Sequence, residues 1–216
     1  MKITVFGATG GVGREVVRQA LAAGHDVTAV VRDPARLGVP AHDGLEVAVV
    51  PDLTDAQALV PLLAGRDAVI SALGAGTNKQ AKRSPVTGPA VRAILAAMDR
   101  AGVSRLAAVS AAPVGPDVPS DGVIARKVLL PVLRRALRDL YADLAVMETA
   151  IGASSAEWTV IRPPRLLNKP RTGNYRRVIG ANVPDARTIS RADVADALLT
   201  TLTDPTTKNQ AVGIAS

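Results

Sequence analysis

KITVFGATGGVGREVVRQALAAG, residues 2–24, begins as a β-branched run, passes three glycines, Gly7, Gly10 and Gly13, and continues with apolar residues at helical spacing. Its reading decides the fold. A strand that ends at Gly7 and a helix that starts near Gly10 need a tight turn between them, and each glycine has a separate use there. A side chain at Gly7 would block the turn, one at Gly10 would hold the backbone away from a ligand, and one at Gly13 would push the helix off the strand. The amides left free at the start of the helix attract an anion, with the helix dipole contributing up to about 2 kcal/mol in a partly buried site. The stretch therefore predicts a cradle for a dinucleotide pyrophosphate, formed by Gly7, Thr9, Gly10, Gly11, Val12 and Gly13.

The pattern continues along the chain. Short apolar runs at 26–32, 45–52, 67–74, 105–111 and 158–163 alternate with segments of helical periodicity, most of them closing on Gly or Pro. Alternation of this kind predicts βαβ units and a parallel sheet flanked by helices, an α/β doubly wound, Rossmann-like single domain over 1–216. A last run, AVGIAS (211–216), reads as an added edge strand. Thr54 and Ser190 stand where helix N-caps belong. Two long Pro- and Gly-rich loops, 111–122 and 163–186, follow strands, and ligands in such sheets bind beyond the carboxyl ends of strands, so both are expected to cover the substrate side.

Composition narrows the function. With 216 residues, 48% hydrophobic and 21% charged, the chain is ordinary globular material. It has no cysteine, which excludes disulfides, thiolate metal sites and cysteine nucleophiles, and a reducing cytoplasm is the expected location. No metal site, membrane span or leader segment is expected. The net charge of +7 comes with only 2% aromatic residues, too few for nucleic-acid stacking platforms, so the charge reads as solvated helix faces and a few cations for anionic ligands. The expected partner is a small-molecule acceptor, with no nucleic acid and no membrane, on a monomer or homodimer.

Cofactor choice is made where the second strand ends. An acidic residue there would bond the ribose hydroxyls of NAD, whereas an arginine grips the 2'-phosphate of NADP. The chain offers Arg32, with Arg36 four residues on, which predicts NADPH; Asp33 reads as a cap of the short turn PARL, with ribose binding as its alternative. Arg14 is either a second phosphate contact or an exposed helix charge. Ala72, Leu73 and Gly74 leave an open backbone beneath the ribose and nicotinamide. Arg165, Asn168 and Tyr175, in the second long loop, are candidate substrate contacts. His25 and His42 sit in turns away from the chemistry.

GATGGVG (7–13), VVRDPARL (30–37), PDLTD (51–55), DAVISALG (67–74), AAVSA (107–111), WTVIRPPRL (158–166) and ISRADVADALL (189–199) together resemble the atypical, or extended, short-chain dehydrogenase/reductase superfamily. The resemblance is to its NAD(P)H-binding branch, which contains NmrA-like proteins and the flavin and biliverdin-IXβ reductases. It implies the same use of Arg32, an adenine contact at Asp52 and Leu53, a place for Pro163 below the nicotinamide, and a catalytic position for Ser110 beside nicotinamide and substrate. For Asp52 a helix-entry carboxylate, and for Ser110 a strand-end hydroxyl bonded to backbone, remain open. The superfamily's usual proton relay is a Tyr followed four residues later by Lys. Tyr141 is followed instead by Ala145, and its distance from Ser110 is wrong. Flavin and biliverdin reductases of this branch also lack the pair. The expectation is an NADPH-dependent oxidoreductase that passes hydride to a flavin-, quinone- or tetrapyrrole-like acceptor; the alternative is a non-catalytic NADP(H)-binding redox sensor of the NmrA-like type. Asp143 and Glu148 match acidic positions of the family but also suit a solvated helix face. Arg126, Lys127, Arg134, Arg135 and Arg138, with Leu129, Leu130, Leu133 and Leu137 at helical spacing, read as an amphipathic packing helix.

Overall fold

The computed structural model describes residues 1–74, 87–116, 118 and 130–216. Residues 117 and 119–122 of the first long loop, and Arg126, Lys127 and Leu129, lie outside the described residues. Strands β1 (Lys2–Phe6), β2 (Asp26–Val31), β3 (Leu45–Val49), β4 (Ala68–Ser71), β5 (Arg105–Val109), β6 (Glu157–Arg162), β8 (Arg176–Ile179) and β10 (Gln210–Ala215) form one sheet in the order β3-β2-β1-β4-β5-β6-β10-β8. All neighbours are parallel except β8, which runs antiparallel to β10. A separate parallel pair is formed by β7 (Arg165–Leu167) and β9 (Thr188–Ser190).

Successive strand residues point to opposite faces, and the helices divide accordingly. Ile3, Val5, Ala68, Ile70, Ala107 and Val109 face the layer of α1 (Gly11–Ala22) and α6 (Arg191–Thr201). Phe6, Val69, Leu106 and Ala108 face α2 (Ala56–Leu63), α3 (Thr87–Ala101) and α5 (Arg138–Gly152). Burial on both faces explains why the strand sequences are nearly continuous apolar runs. β1 pairs with β2 on one side and β4 on the other, so the strand order reverses between β1 and β4, and a crevice opens beyond their carboxyl ends.

The structure corrects several local expectations. The cap of α2 is Asp55, whose carboxylate accepts from the amides of Gln57 and Ala58, and not Thr54; Ser190 does cap α6, accepting from Asp193 N at 2.8 Å. AVGIA, residues 211–215, lies within β10, which is flanked by β6 and β8, so the edge belongs to β8, a strand inside the stretch expected to be loop. Asp143 and Glu148 do not form a solvated face. The Asp143 carboxylate is buried and accepts from Thr87 N and Gly88 N, both at 2.9 Å, tying α5 to the start of α3. Glu148 receives a bidentate bond from Arg162, Nε at 3.1 Å and Nη2 at 2.5 Å. The leucine-rich helix is short: α4 (Leu130–Ala136) has no buried residue, because its apolar side faces a cavity and not the core.

Arg105 is the one buried guanidinium among the described residues. It donates to the carbonyls of Leu202 (3.2 Å), Thr201 and Glu157 (2.6 Å) and to Thr159 Oγ1 (2.8 Å), which satisfies orphan carbonyls at the C-terminus of α6. Burial lowers its pKa, against the opposing fields of Glu157 and Asp204.

Candidate functional site

Two cavities open at the carboxyl end of the sheet. The first, about 400 Å³, lies over the crevice between β1 and β4 and is lined by Gly7, Thr9, Gly10, Arg32, Arg36, Asp52, Leu53, Ala72, Leu73 and Gly74, together with Val30, Val31, Val50, Pro51, Thr54 and Ala90. Ten of the fourteen residues expected at a cofactor therefore share one wall.

The glycine turn is pressed against the sheet. Gly7 adopts φ +76°, and a Cβ there would stand 2.5 Å from the Ala72 carbonyl oxygen; one on Gly13 would stand 2.1 Å from the Gly7 carbonyl oxygen. The turn closes by Gly10 N donating to Gly7 O at 2.9 Å. Gly11, Val12 and Gly13 are not on the cavity wall: they form the first turn of α1, with Val12 and Gly13 buried, and there the first-turn amides have no intrahelical acceptor. A cradle that only glycine fits, ending at free helix amides, suits a pyrophosphate.

On the far side of the cavity, the side chains of Arg32 and Arg36 are exposed and have no hydrogen bond or ion pair among the described residues. Arg14 is not part of the wall: its Nη2 donates to Arg36 O at 2.8 Å, and Arg18 Nη2 to Gly38 O at 3.2 Å, so α1 holds the segment that carries Arg36. Asp33 caps the 3-10 turn Pro34–Arg36 through Ala35 N at 3.0 Å and does not line the cavity. Asp52 accepts from Thr54 N (2.8 Å) and Oγ1 (2.7 Å), and these bonds hold its carboxyl below the usual carboxylate range while it lines the cavity. Sequence reading missed Arg191, whose side chain lies across Gly11: a Cβ there would stand 2.6 Å from Arg191 Cδ. Its Nη1 donates to Asn168 Oδ1 at 2.6 Å. No local motif marks it, because the contact joins the start of α6 to a loop far away in sequence.

The second cavity, about 520 Å³, is walled by Ala111, Ala112, Pro113, Pro163, Pro164, Leu130, Leu133, Leu137, Tyr141 and Val183, with Arg165, Arg187 and Asn182 as its polar members. Pro163, expected at the cofactor, lies on this wall. Of the three expected substrate contacts only Arg165 lines it. Asn168 is engaged by Arg191, and the Tyr175 hydroxyl donates to Asp196 Oδ2 at 2.8 Å, packed on the α6 side of the sheet. Burial and then this bond push the Tyr175 phenol well above its ordinary pKa. The aromatic hydroxyl in the cavity is that of Tyr141, raised by burial against the lowering field of Arg134.

Ser110 sits between the cavities and lines neither. It is 7% exposed, its amide donates to Ile161 O at 2.8 Å, and its Oγ is buried with no hydrogen-bond partner among the described residues. The hydroxyl is thus not consumed by backbone, the alternative use open at the sequence level. The next residue, Ala111, is on the apolar wall. Among the described residues no group of acidic, His or Cys side chains could hold a metal ion, and no helix is long and apolar enough to cross a membrane.

Comparison with known proteins agrees with this geometry. Residues 7–205 match a family of NAD(P)H-binding proteins, and the chain belongs to that family. It is 28% identical to the uncharacterized protein YwnB of Bacillus subtilis over 222 residues, covering 100% of this chain and 99% of that protein. Among solved structures it resembles ChuY, an anaerobilin reductase from Escherichia coli O157:H7, with TM-score 0.78, 23% identity and coverage of 100% of this chain and 97% of that one. It also resembles a short-chain dehydrogenase/reductase from Veillonella parvula in complex with NADP, with TM-score 0.77, 18% identity and coverage of 100% and 94%.

Proposed function

We propose that the protein is an NADPH-dependent reductase that passes hydride to a small conjugated acceptor without a tyrosine–lysine proton relay. One observation carries the reading: the dinucleotide cradle and a separate apolar cavity open side by side at the carboxyl end of the sheet, with Ser110 between them. The structural likeness to an anaerobilin reductase and to an NADP complex supports it.

NADPH, when bound, supplies the hydride. The protein's part is positioning. Gly10 and the first amides of α1 hold the pyrophosphate, with Arg191 lying over that turn. Arg32 and Arg36 bind the 2'-phosphate, each charge-assisted bond contributing about 1.5 to 3 kcal/mol. Asp52 accepts from the adenine amine. Ala72 to Gly74 leave room for the ribose and nicotinamide, and Pro163 and Ala111 direct the acceptor face toward them. Ser110 Oγ donates to the oxygen or nitrogen of the acceptor on which negative charge grows. Tyr141 has a pKa above its ordinary value and Ala145 stands where the relay lysine would be, so this phenol stays protonated near neutral pH and solvent supplies the proton.

Steady-state NADPH oxidation against flavins, quinones and linear tetrapyrroles, with NADH in parallel, tests the reading. Acceptor-dependent turnover that prefers NADPH is expected. NADPH binding with no turnover on any acceptor would replace it with a sensor that reads the NADP(H) pool.

A further inference from the structure

We infer that Arg191 binds the pyrophosphate common to NADPH and NADH, reaching it through the space that Gly11 leaves open at the start of α1. The inference rests on the reading of the β1–β4 crevice as the dinucleotide site.

Gly11 differs from the other glycines of the turn in what its missing side chain makes room for. Cβ atoms on Gly7, Gly10 and Gly13 would meet backbone first, whereas one on Gly11 would stand 2.6 Å from Arg191 Cδ and 2.8 Å from its Nε. The backbone of α6 does not bring Arg191 there. Its neighbour Ala192 is anchored further along α1, where Gln19 Nε2 donates to Ala192 O at 2.9 Å. Gln19 lies about 12 Å beyond Gly11 at 1.5 Å per helical residue. The Arg191 side chain therefore runs back along α1 to lie over its first residue.

Charge makes that placement informative. The start of α1 is the positive end of its dipole, its first-turn amides are donors without an intrahelical acceptor, and its first turn holds no acidic residue. A guanidinium brings a full positive charge and further donors to the same place. Arg191 has no ion pair among the described residues, and its hydrogen bond there runs from Nη1 to a neutral acceptor, Asn168 Oδ1, at 2.6 Å. Asp193, the acidic residue in the first turn of α6, is engaged by Ser190, Thr172 and Gly173. Donors thus face donors and a cation faces a helix dipole of the same sign, which costs free energy unless an anion lies between them. Arg32 and Arg36, across the cavity, are placed for a phosphate that NADPH has and NADH lacks; Arg191, at the glycine turn, is placed for the one group both carry.

Equilibrium affinity, read without turnover, tests this. NADPH and NADH are titrated by nicotinamide fluorescence, and 2'-AMP is measured by its displacement of NADPH. Arg191→Met keeps the apolar stem and removes the charge. It is expected to weaken NADPH and NADH by the same factor, about tenfold, and to leave 2'-AMP, which has no pyrophosphate, unchanged. Arg191→Lys should lose less, because an ammonium keeps the charge without the fork. Gly11→Ala pushes the arginine aside and should reproduce the loss, and the double variant Gly11→Ala, Arg191→Met should bind no more weakly than either single one. The melting temperature of free Arg191→Met should stay within about 2 °C of that of the unaltered protein. A loss confined to NADPH, a parallel loss of 2'-AMP, losses that multiply in the double variant, a larger fall in melting temperature, or dinucleotide affinities that Arg191→Met leaves unchanged would overturn the proposal and leave the crevice as a dinucleotide site. Failure of the unaltered protein to bind either dinucleotide would overturn that reading and the proposal with it.

Discussion

Single residues set what the site can do. Ser110 has a buried hydroxyl where β5 ends, with no hydrogen-bond partner among the described residues, and it is the proposed donor to the acceptor. Ser110→Ala is therefore expected to lower kcat by about a hundredfold, the cost of losing one oxyanion donor, while the Kd for NADPH stays where it was. An unchanged kcat in stopped-flow hydride transfer would return Ser110 to a purely structural role. The place of Arg32 and Arg36 on the cavity wall was legible because the end of the second strand is a fixed place in this architecture. Arg191, Asn182 and Arg187 were not, since their positions follow from tertiary approach of segments more than a hundred residues apart in one case and from an irregular loop in the others. Tyr175 shows the converse: an aromatic residue in the right loop whose hydroxyl is held by Asp196 on the other side.

At the level of elements, the glycine turn and the start of α6 carry the sharpest consequences. Gly13→Ala would place a methyl 2.1 Å from a carbonyl oxygen, whereas Gly24→Ala meets nothing within 4 Å and has only its φ of +75° against it. Chemical denaturation should show a loss of more than about 3 kcal/mol for the first and about 1 kcal/mol for the second. Comparable losses would mean that helix α1 does not sit against β1 as described. Asp193, fully buried, accepts from Ser190 Oγ, Thr172 N and Oγ1, and Gly173 N, binding α6 to the loop before β8. Burial by itself would raise its carboxyl, but these hydrogen bonds outweigh it and hold the pKa below the ordinary value. Because the folded pKa lies below the unfolded one, this stability is fully present above about pH 4 and disappears as pH falls through the folded value. Asp193→Asn should cost about 3 kcal/mol at pH 7 and flatten the acid limb of a plot of stability against pH. An acid limb unchanged by the substitution would assign acid sensitivity to other carboxylates. Element boundaries were less legible than element types. Asp55 and not Thr54 is the cap because the helix begins at Ala56 and the Thr54 hydroxyl donates to Asp52, and β8 went unseen because its four residues, RRVI, carry too little alternation to stand out from a loop.

For the molecule as a whole, alternating strands and helices were readable because the central strands β1, β2, β4 and β5 are buried on both faces and α1, α2 and α3 bury an apolar side, patterns the sequence must carry to fold at all. What covers the sheet's carboxyl edge was not readable: α4 leaves its leucines facing a cavity, so a pattern that means packing in a core helix lines a cavity here. The same division explains the function. The β1–β4 crevice carries the first cavity, the proposed dinucleotide site, and the second cavity is the proposed acceptor site. The central claim is that this crevice holds NADP(H) through Arg32 and Arg36, and fluorescence titration of the purified protein with NADPH and NADH tests it most directly. The account predicts saturable binding of both, NADPH at least about tenfold tighter, and a preference abolished in Arg32→Ala, Arg36→Ala with NADH affinity unchanged. Failure of both dinucleotides to bind, or equal affinity for the two in the unaltered protein, would contradict it.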